Sequence, residues 1–323
     1  MPRIIAVLLA AVAVLTAADR ILVVHKHGDS VGAYDPKNGK LLWTAPVGKI
    51  PHELALTADG KRVFVTNYGL RTYTDKDPGG NTISIIDLKS KKNIGQIDLG
   101  QYHRPHGIER ARNGHFFVTT DLPPSVLEID PAQRKMVRAL DVGQELPHMV
   151  QLSADETKLW TANAGSGSVT SIPLTNTGAR KNIKVGGVPM GFALSPDGKR
   201  LFVTTRSGNE VVVVDTADDS VLTRVDVEGE PVRMALTADG SLLAVTCIAS
   251  GEMAVLETIT FRGRKRIKIG ARAEGITFDL KRGVGYASAQ ADNKVVQFSL
   301  KDWSVIKTIP TAAPQPDPII ILR

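Results

Sequence analysis

Apolar residues along this chain fall in short runs of four to six, separated by polar pairs, and no stretch places them at helical spacing. One span shows the order clearly: Gly191 to Leu194, Leu201 to Thr204, Val211 to Asp215 and Val221 to Val225. Between the first and second runs sits a turn pair, which recurs as Asp59-Gly60, Asn113-Gly114, Asp155-Glu156, Asp197-Gly198 and Asp239-Gly240. Asp-Gly and Asn-Gly tolerate the positive φ of tight hairpins, so each marks a connection between antiparallel strands. The whole unit repeats. Pro105, Pro147, Pro189 and Pro231 stand 42 residues apart, and the same step lands on Ala273. Pro51 opens an earlier unit, lengthened by an insertion from Leu70 to Gly80, and Pro316 opens a last one.

Four short strands in about 42 residues match one blade of a β-propeller, and seven anchors predict seven blades. The chain ends complete the ring. Ile21 to Lys26, Ser30 to Asp35 and Leu41 to Val47 are three strands lacking a first, while Pro316 to Arg323 is one strand lacking a sheet. Joined, they make blade seven and remove a free edge that would invite aggregation. The expected fold is therefore all-β, a seven-bladed propeller of four-stranded antiparallel blades closed by both termini, in one domain over residues 19–323. An apolar fraction of 42% is ample for its core, and with only 5% aromatics the blades must pack through Val, Ile, Leu and Ala.

Residues 1–18 read differently. Met1-Pro2-Arg3, an apolar run from Ile4 to Leu15, and Thr16-Ala17-Ala18 have the layout of a secretory signal peptide, with an apolar part too short to span a bilayer. The mature chain is expected in the periplasm or outside the cell, with no transmembrane segment. Its single cysteine, Cys247, cannot form an internal disulfide and is expected as a small buried residue.

The strand motifs Phe64-Val65-Thr66-Asn67, Phe117-Val118-Thr119-Thr120 and Phe202-Val203-Thr204-Thr205, with Thr82-Ile83-Ser84-Ile85-Ile86-Asp87, resemble the YVTN-type seven-bladed propellers over Arg20 to Arg323. Blade three departs with Trp160-Thr161-Ala162-Asn163, and blade six with Tyr286-Ala287-Ser288. The resemblance implies an exported propeller and leaves the activity open, since that family holds surface-layer and periplasmic binding proteins beside enzyme-like members.

Propeller topology places the residues just after each anchor at one mouth of the central channel: His52, His106, His148, Met190, Val232, Glu274 and Asp317. His25, His27 and His103 are expected on the same face, and His115 on the other. Three imidazoles on adjacent inner strands suit a first-row metal, so a divalent or copper ion held by His52, His106 and His148, with His25 as a fourth ligand, is one expectation. The opening Arg104-Pro105-His106-Gly107-Ile108 resembles propellers of the streptogramin-lyase type, which implies acid-base chemistry beside a divalent ion. On that reading His106, His148 and Glu274 are catalytic candidates in a metal-dependent lyase or lactonase, while Met190 and Val232 form an apolar wall.

The favoured expectation is non-enzymatic: a rigid ring that binds a protein, glycan or small molecule at the histidine-bearing mouth. Its rim would comprise Asn67, Arg71 and Tyr73 with Lys76 and Asp77 on the inserted loop, then Tyr102, His103, Arg104, Glu274 and Asp317. A monomer is expected. A net charge of +7 raises nucleic acid as a partner, but the densest basic run, Arg262 to Arg266, leads into an outer strand, where cations protect an edge, and no stacking aromatics accompany it. The chain also lacks a phosphate-binding glycine loop, a Gly-x-Ser-x-Gly elbow, paired-cysteine metal motifs and His-Glu-x-x-His.

Overall fold

The computed structural model describes residues 20–323. The signal-peptide expectation lies outside the described residues. Seven four-stranded antiparallel sheets follow one another along the chain. Each inner strand begins at or beside its anchor: Pro51–Leu56, His103–Arg110, Pro147–Leu152, Pro189–Leu194, Pro231–Leu236, Ala273–Asp279 and Pro316–Leu322. Consecutive inner strands touch, and the last touches the first, so the sheets form a closed ring around a channel. Closure is as expected: Arg20–His25 pairs with Pro316–Leu322, placing both termini in one sheet. Among the described residues no helix is long and apolar enough to cross a membrane.

The turn motif is explained by its side chains. In Thr57-x-Asp59, Ser153-x-Asp155, Ser195-x-Asp197 and Thr237-x-Asp239 the hydroxyl donates to the aspartate Oδ1 at 2.6–2.7 Å. The following residue turns left-handed, at φ 67° for Gly60, and even Glu156 adopts φ 57° where the glycine is replaced. Between blades the filling is aliphatic, as in the cluster of Phe202, Val211, Val213, Val245, Cys247 and Leu256. Cys247 is fully buried there, as expected. The basic run falls on the outer strand Gly263–Lys268 of blade five, also as expected.

Candidate functional site

What turns the anchor-plus-one side chain toward the channel is a repeated backbone device. Six residues immediately before an anchor are non-glycine and left-handed, among them Ile50 (φ 45°), Arg104 (58°), Leu146 (51°) and Arg272 (58°). Immediately after the anchor the pairing with the second strand slips, as between Pro51 and Leu54 or Pro189 and Phe192. Such bulges re-aim side chains. The freed backbone groups are satisfied by the threonine of the VTN-like motif. Thr66 Oγ1 accepts from Glu53 N at 2.9 Å and donates to the His106 carbonyl of the next blade at 2.8 Å. Thr119 does the same with Gly107 N (2.8 Å) and His148 O (3.0 Å), and Thr204 with Gly191 N (2.9 Å) and Val232 O (2.8 Å). Blade three has Ala162 at this place. Its missing donor is replaced by His148, whose Nδ1 donates to Met190 O at 2.8 Å.

His52, His106, His148, Met190 and Glu274 thereby line one cavity of about 230 Å³ at the channel mouth. The three imidazoles crowd together, with centroids 4.6 Å apart and planes at 60° for His52 and His106, and 3.9 Å apart with planes at 37° for His106 and His148; Tyr68 lies 4.5 Å from His52. Because a carbonyl can only accept, the bond from His52 Nδ1 to Ile50 O (3.0 Å) and that from His148 Nδ1 to Met190 O fix both tautomers. In each ring Nε2 keeps its lone pair. Burial, and then the nearby charges of Lys26 and Arg233, hold all three far below the ordinary imidazole value, so they are neutral at pH 7. His106 Nδ1 is buried without a hydrogen-bond partner.

A second ring of equivalent positions, one past the VTN-like motif in six of the blades, completes the lining: Lys26, Tyr68, Asp121, Ala164, Arg206 and Ile248. Tyr68 donates its hydroxyl to Asp121 Oδ2 at 2.6 Å. Burial pushes the Asp121 carboxyl up to about 6, against the pull of that bond and of Arg104. With Arg71, Arg206 and Arg272 beside Lys26, the lining has four cations against Asp121 and Glu274.

Below the cavity the channel is plugged by charge. Arg233 and Glu53, from blades on opposite sides of the ring, form an ion pair across the axis, and Lys26 Nζ meets Asp317 Oδ2 at 3.2 Å. Room for the crossing comes from the inner-strand positions two past the anchor, which read Glu53, Gly107, Met149, Gly191, Arg233, Gly275 and Pro318. A Cβ on Gly191 would stand 2.5 Å from Val232 O, so blade four admits no side chain at this position. Burial pushes Glu53 up to about 7 despite Arg233, and it raises Glu274 as well. Burial works against the Lys26 charge too, but Glu274 and Asp317 outweigh it and raise the amine.

The inserted loop is held over the cavity by one residue. Arg104, itself buried, donates from Nη2 to Asp75 O (2.7 Å) and Asp77 O (2.6 Å), and at longer range to Pro78 O and Tyr73 O. His103 Nδ1 lies 3.4 Å from Gly79 O. Arg71, Thr72 and Tyr73 thus roof the cavity.

The structure separates the expected rim into parts. His52, His106, His148, Met190, Glu274, Arg71 and Tyr73 do meet at one cavity. His25 does not: its Nδ1 and Nε2 are taken by Ser30 Oγ (3.0 Å) and Tyr34 OH (2.9 Å), inside blade seven. Asn67 is buried as well, joining Thr82, Ser84 and Gly48 N, and so ties strands together. Tyr102 packs against the core between blades one and two, Val232 is sealed behind Met190, and Asp317 serves the plug. Arg104 holds the loop and draws on Asp121 and Tyr68, without lining the cavity itself. His115 is on the other face, as expected, bonded to Glu128 at 2.7 Å. Among the described residues no group of three or more His, Cys, Asp or Glu is disposed to hold a metal ion. Lys26, Tyr68, Asp121, Arg206 and Arg272 were missed. The 42-residue register carries the second ring as plainly as the first, and charged residues inside apolar inner strands, Glu53 and Arg233, mark the plug.

No protein-family model matches the chain, and no curated protein matches it. Solved structures do. The chain is similar to a Kuenenia stuttgartiensis hydrazine synthase structure (19% identity, 90% of this chain and 92% of that one, TM-score 0.73). It is similar also to the periplasmic gluconolactonase of Pseudomonas aeruginosa (17%, 94% and 99%, TM-score 0.74) and to a provisionally assigned 6-phosphogluconolactonase of Bacteroides fragilis (14%, 96% and 99%, TM-score 0.77). At these identities the likeness is one of fold, the seven-bladed propeller.

Proposed function

We propose that this chain is an exported, YVTN-type propeller that binds a small hydroxylated organic acid in the channel-mouth cavity. The observation that carries the reading is the pairing of cationic donors with imidazole acceptors in one enclosed space. Lys26, Arg71, Arg206 and Arg272 supply positive charge for a carboxylate, and His52 and His148, with Nδ1 committed to backbone carbonyls, offer Nε2 as acceptors for hydroxyl groups. Tyr68 and Tyr73 add flat apolar surface. The names of the lactonase neighbours fit such a ligand.

The unpartnered Nδ1 of His106 favours a second reading, hydrolysis of the corresponding lactone. There a neutral imidazole takes a proton from water as its oxygen adds to the ring carbonyl, and returns it to the ring oxygen as the C–O bond breaks.

Calorimetric titration of gluconate into untagged, chelator-dialysed protein at pH 7.5 tests the binding. Micromolar to low-millimolar affinity, weakened at least about tenfold in His106→Ala of unchanged circular dichroism, supports it. Absence of binding to the wild type overturns it. A stoichiometric metal ion in undialysed protein, lost together in His52→Ala and His106→Ala, would replace it with the metal-site reading, and release of acid from gluconolactone at a rate above that of the His106→Ala protein would establish the hydrolase.

A further inference from the structure

The cavity does not end at the channel mouth. Arg206, Ile248 and Arg272 line it and equally line a larger hollow of about 930 Å³, which runs outward between blades five and six past Ser250, Lys268 and Lys294. Of its four cations, Arg206 faces Glu230 at 3.5 Å and Lys294 faces Asp292 at 2.9 Å. The other two hydrogen-bond only neutral acceptors, Lys268 to Ser250 O at 3.2 Å and Arg272 to Gln290 Oε1 at 3.4 Å. Ser250 Oγ is buried there without a hydrogen-bond partner among the described residues. Buried donors left without acceptors are costly, and the oxygens of an anion would satisfy them.

From the shared neck, the excess of cations over carboxylates in the lining and the unpartnered Ser250 hydroxyl, we infer that this radial cleft is a subsite for a second acidic group, carboxylate or phosphate, so that the ligand carries two acidic groups and spans cavity and cleft. The inference rests on the cavity reading proposed above. Gluconate, glucarate and 6-phosphogluconate share one carbon chain and differ in the group at the far end, so titration of all three into the full chain isolates the subsite. The wild type is expected to bind glucarate or 6-phosphogluconate, each with a second acidic group, about tenfold more tightly than gluconate. In Lys268→Glu, an exposed position that leaves the core intact, the advantage falls to within about twofold while gluconate affinity changes little. A tighter 6-phosphogluconate assigns the cleft to phosphate, and a tighter glucarate to carboxylate. If gluconate binds and neither glucarate nor 6-phosphogluconate binds more tightly, or if Lys268→Glu keeps the advantage, the cleft assignment is wrong and the cavity reading stands. If none of the three binds, both fall.

Discussion

Replacing Thr204 by valine keeps the shape of the side chain and removes one hydroxyl, which makes it a clean probe of the staple between blades four and five. Two buried backbone groups lose their partner together: Gly191 N, at 2.9 Å, and Val232 O, at 2.8 Å. Each orphaned group costs ~1–3 kcal/mol, and the extra buried methyl returns ~1 kcal/mol, so the net loss is about 1–5 kcal/mol. Against a typical stability of ~5–15 kcal/mol that is large. At a urea slope of ~3 kcal/mol per M, a loss in the middle of the range lowers the unfolding midpoint by about 1 M with the slope unchanged. Blade three provides the internal check. There Ala162 makes no staple and the Met190 carbonyl is taken by His148 Nδ1. Ala162→Thr is expected to add nothing to the wild type, yet to restore at least ~1 kcal/mol in a His148→Leu background, where that carbonyl is left bare. A Thr204→Val loss below about 0.5 kcal/mol, or no rescue by Ala162→Thr, would refute the assignment of the motif threonine as an inter-blade staple.

Two further outcomes follow from the site's surroundings. Glu109, whose carboxylate accepts from Leu152 N and Gln151 Nε2, is pushed by burial up to about 8 from 4.5. The native chain therefore holds a proton that the unfolded chain releases, a contribution complete below pH 4.5 and lost as pH rises to about 8. Glu109→Gln should flatten the decline of urea stability over that window by about 1.4 kcal/mol per pH unit, and an unchanged slope would disprove the raised value. Arg104→Met removes the guanidinium bonds to four loop carbonyls, so trypsin should cut at Arg71 or Lys76 at least about tenfold faster while urea stability of the ring changes little; equal cutting rates would show the loop is held by something else.

Most of the architecture was legible because a propeller writes its period into the chain. A proline every 42 residues, a turn pair after the first strand and orphan strands at both ends each correspond to one structural part, and each part lies where local spacing puts it. The histidine cluster was legible for the same reason: His52, His106 and His148 occupy one register position on three neighbouring blades. His25 was misplaced because it ends a second strand, where the side chain turns into blade seven to meet Ser30 and Tyr34. Asn67 and Tyr102 were misplaced likewise, since residues at strand ends face either mouth or core according to local twist, which the period does not specify.

Sequence by itself determined the fold class, the number of blades, the means of closure and the face on which side chains gather, because all four depend on hydrophobic alternation and repeat length, properties local to each unit. Only the tertiary structure decided which gathered groups act together: that the imidazoles meet at tilted and edge-on angles, that Ala162 is compensated by His148, that Glu53 reaches Arg233 across the axis, and that Arg104 holds the roof from outside the cavity. These are contacts between residues up to 180 positions apart, and their geometry exists only once the ring has closed.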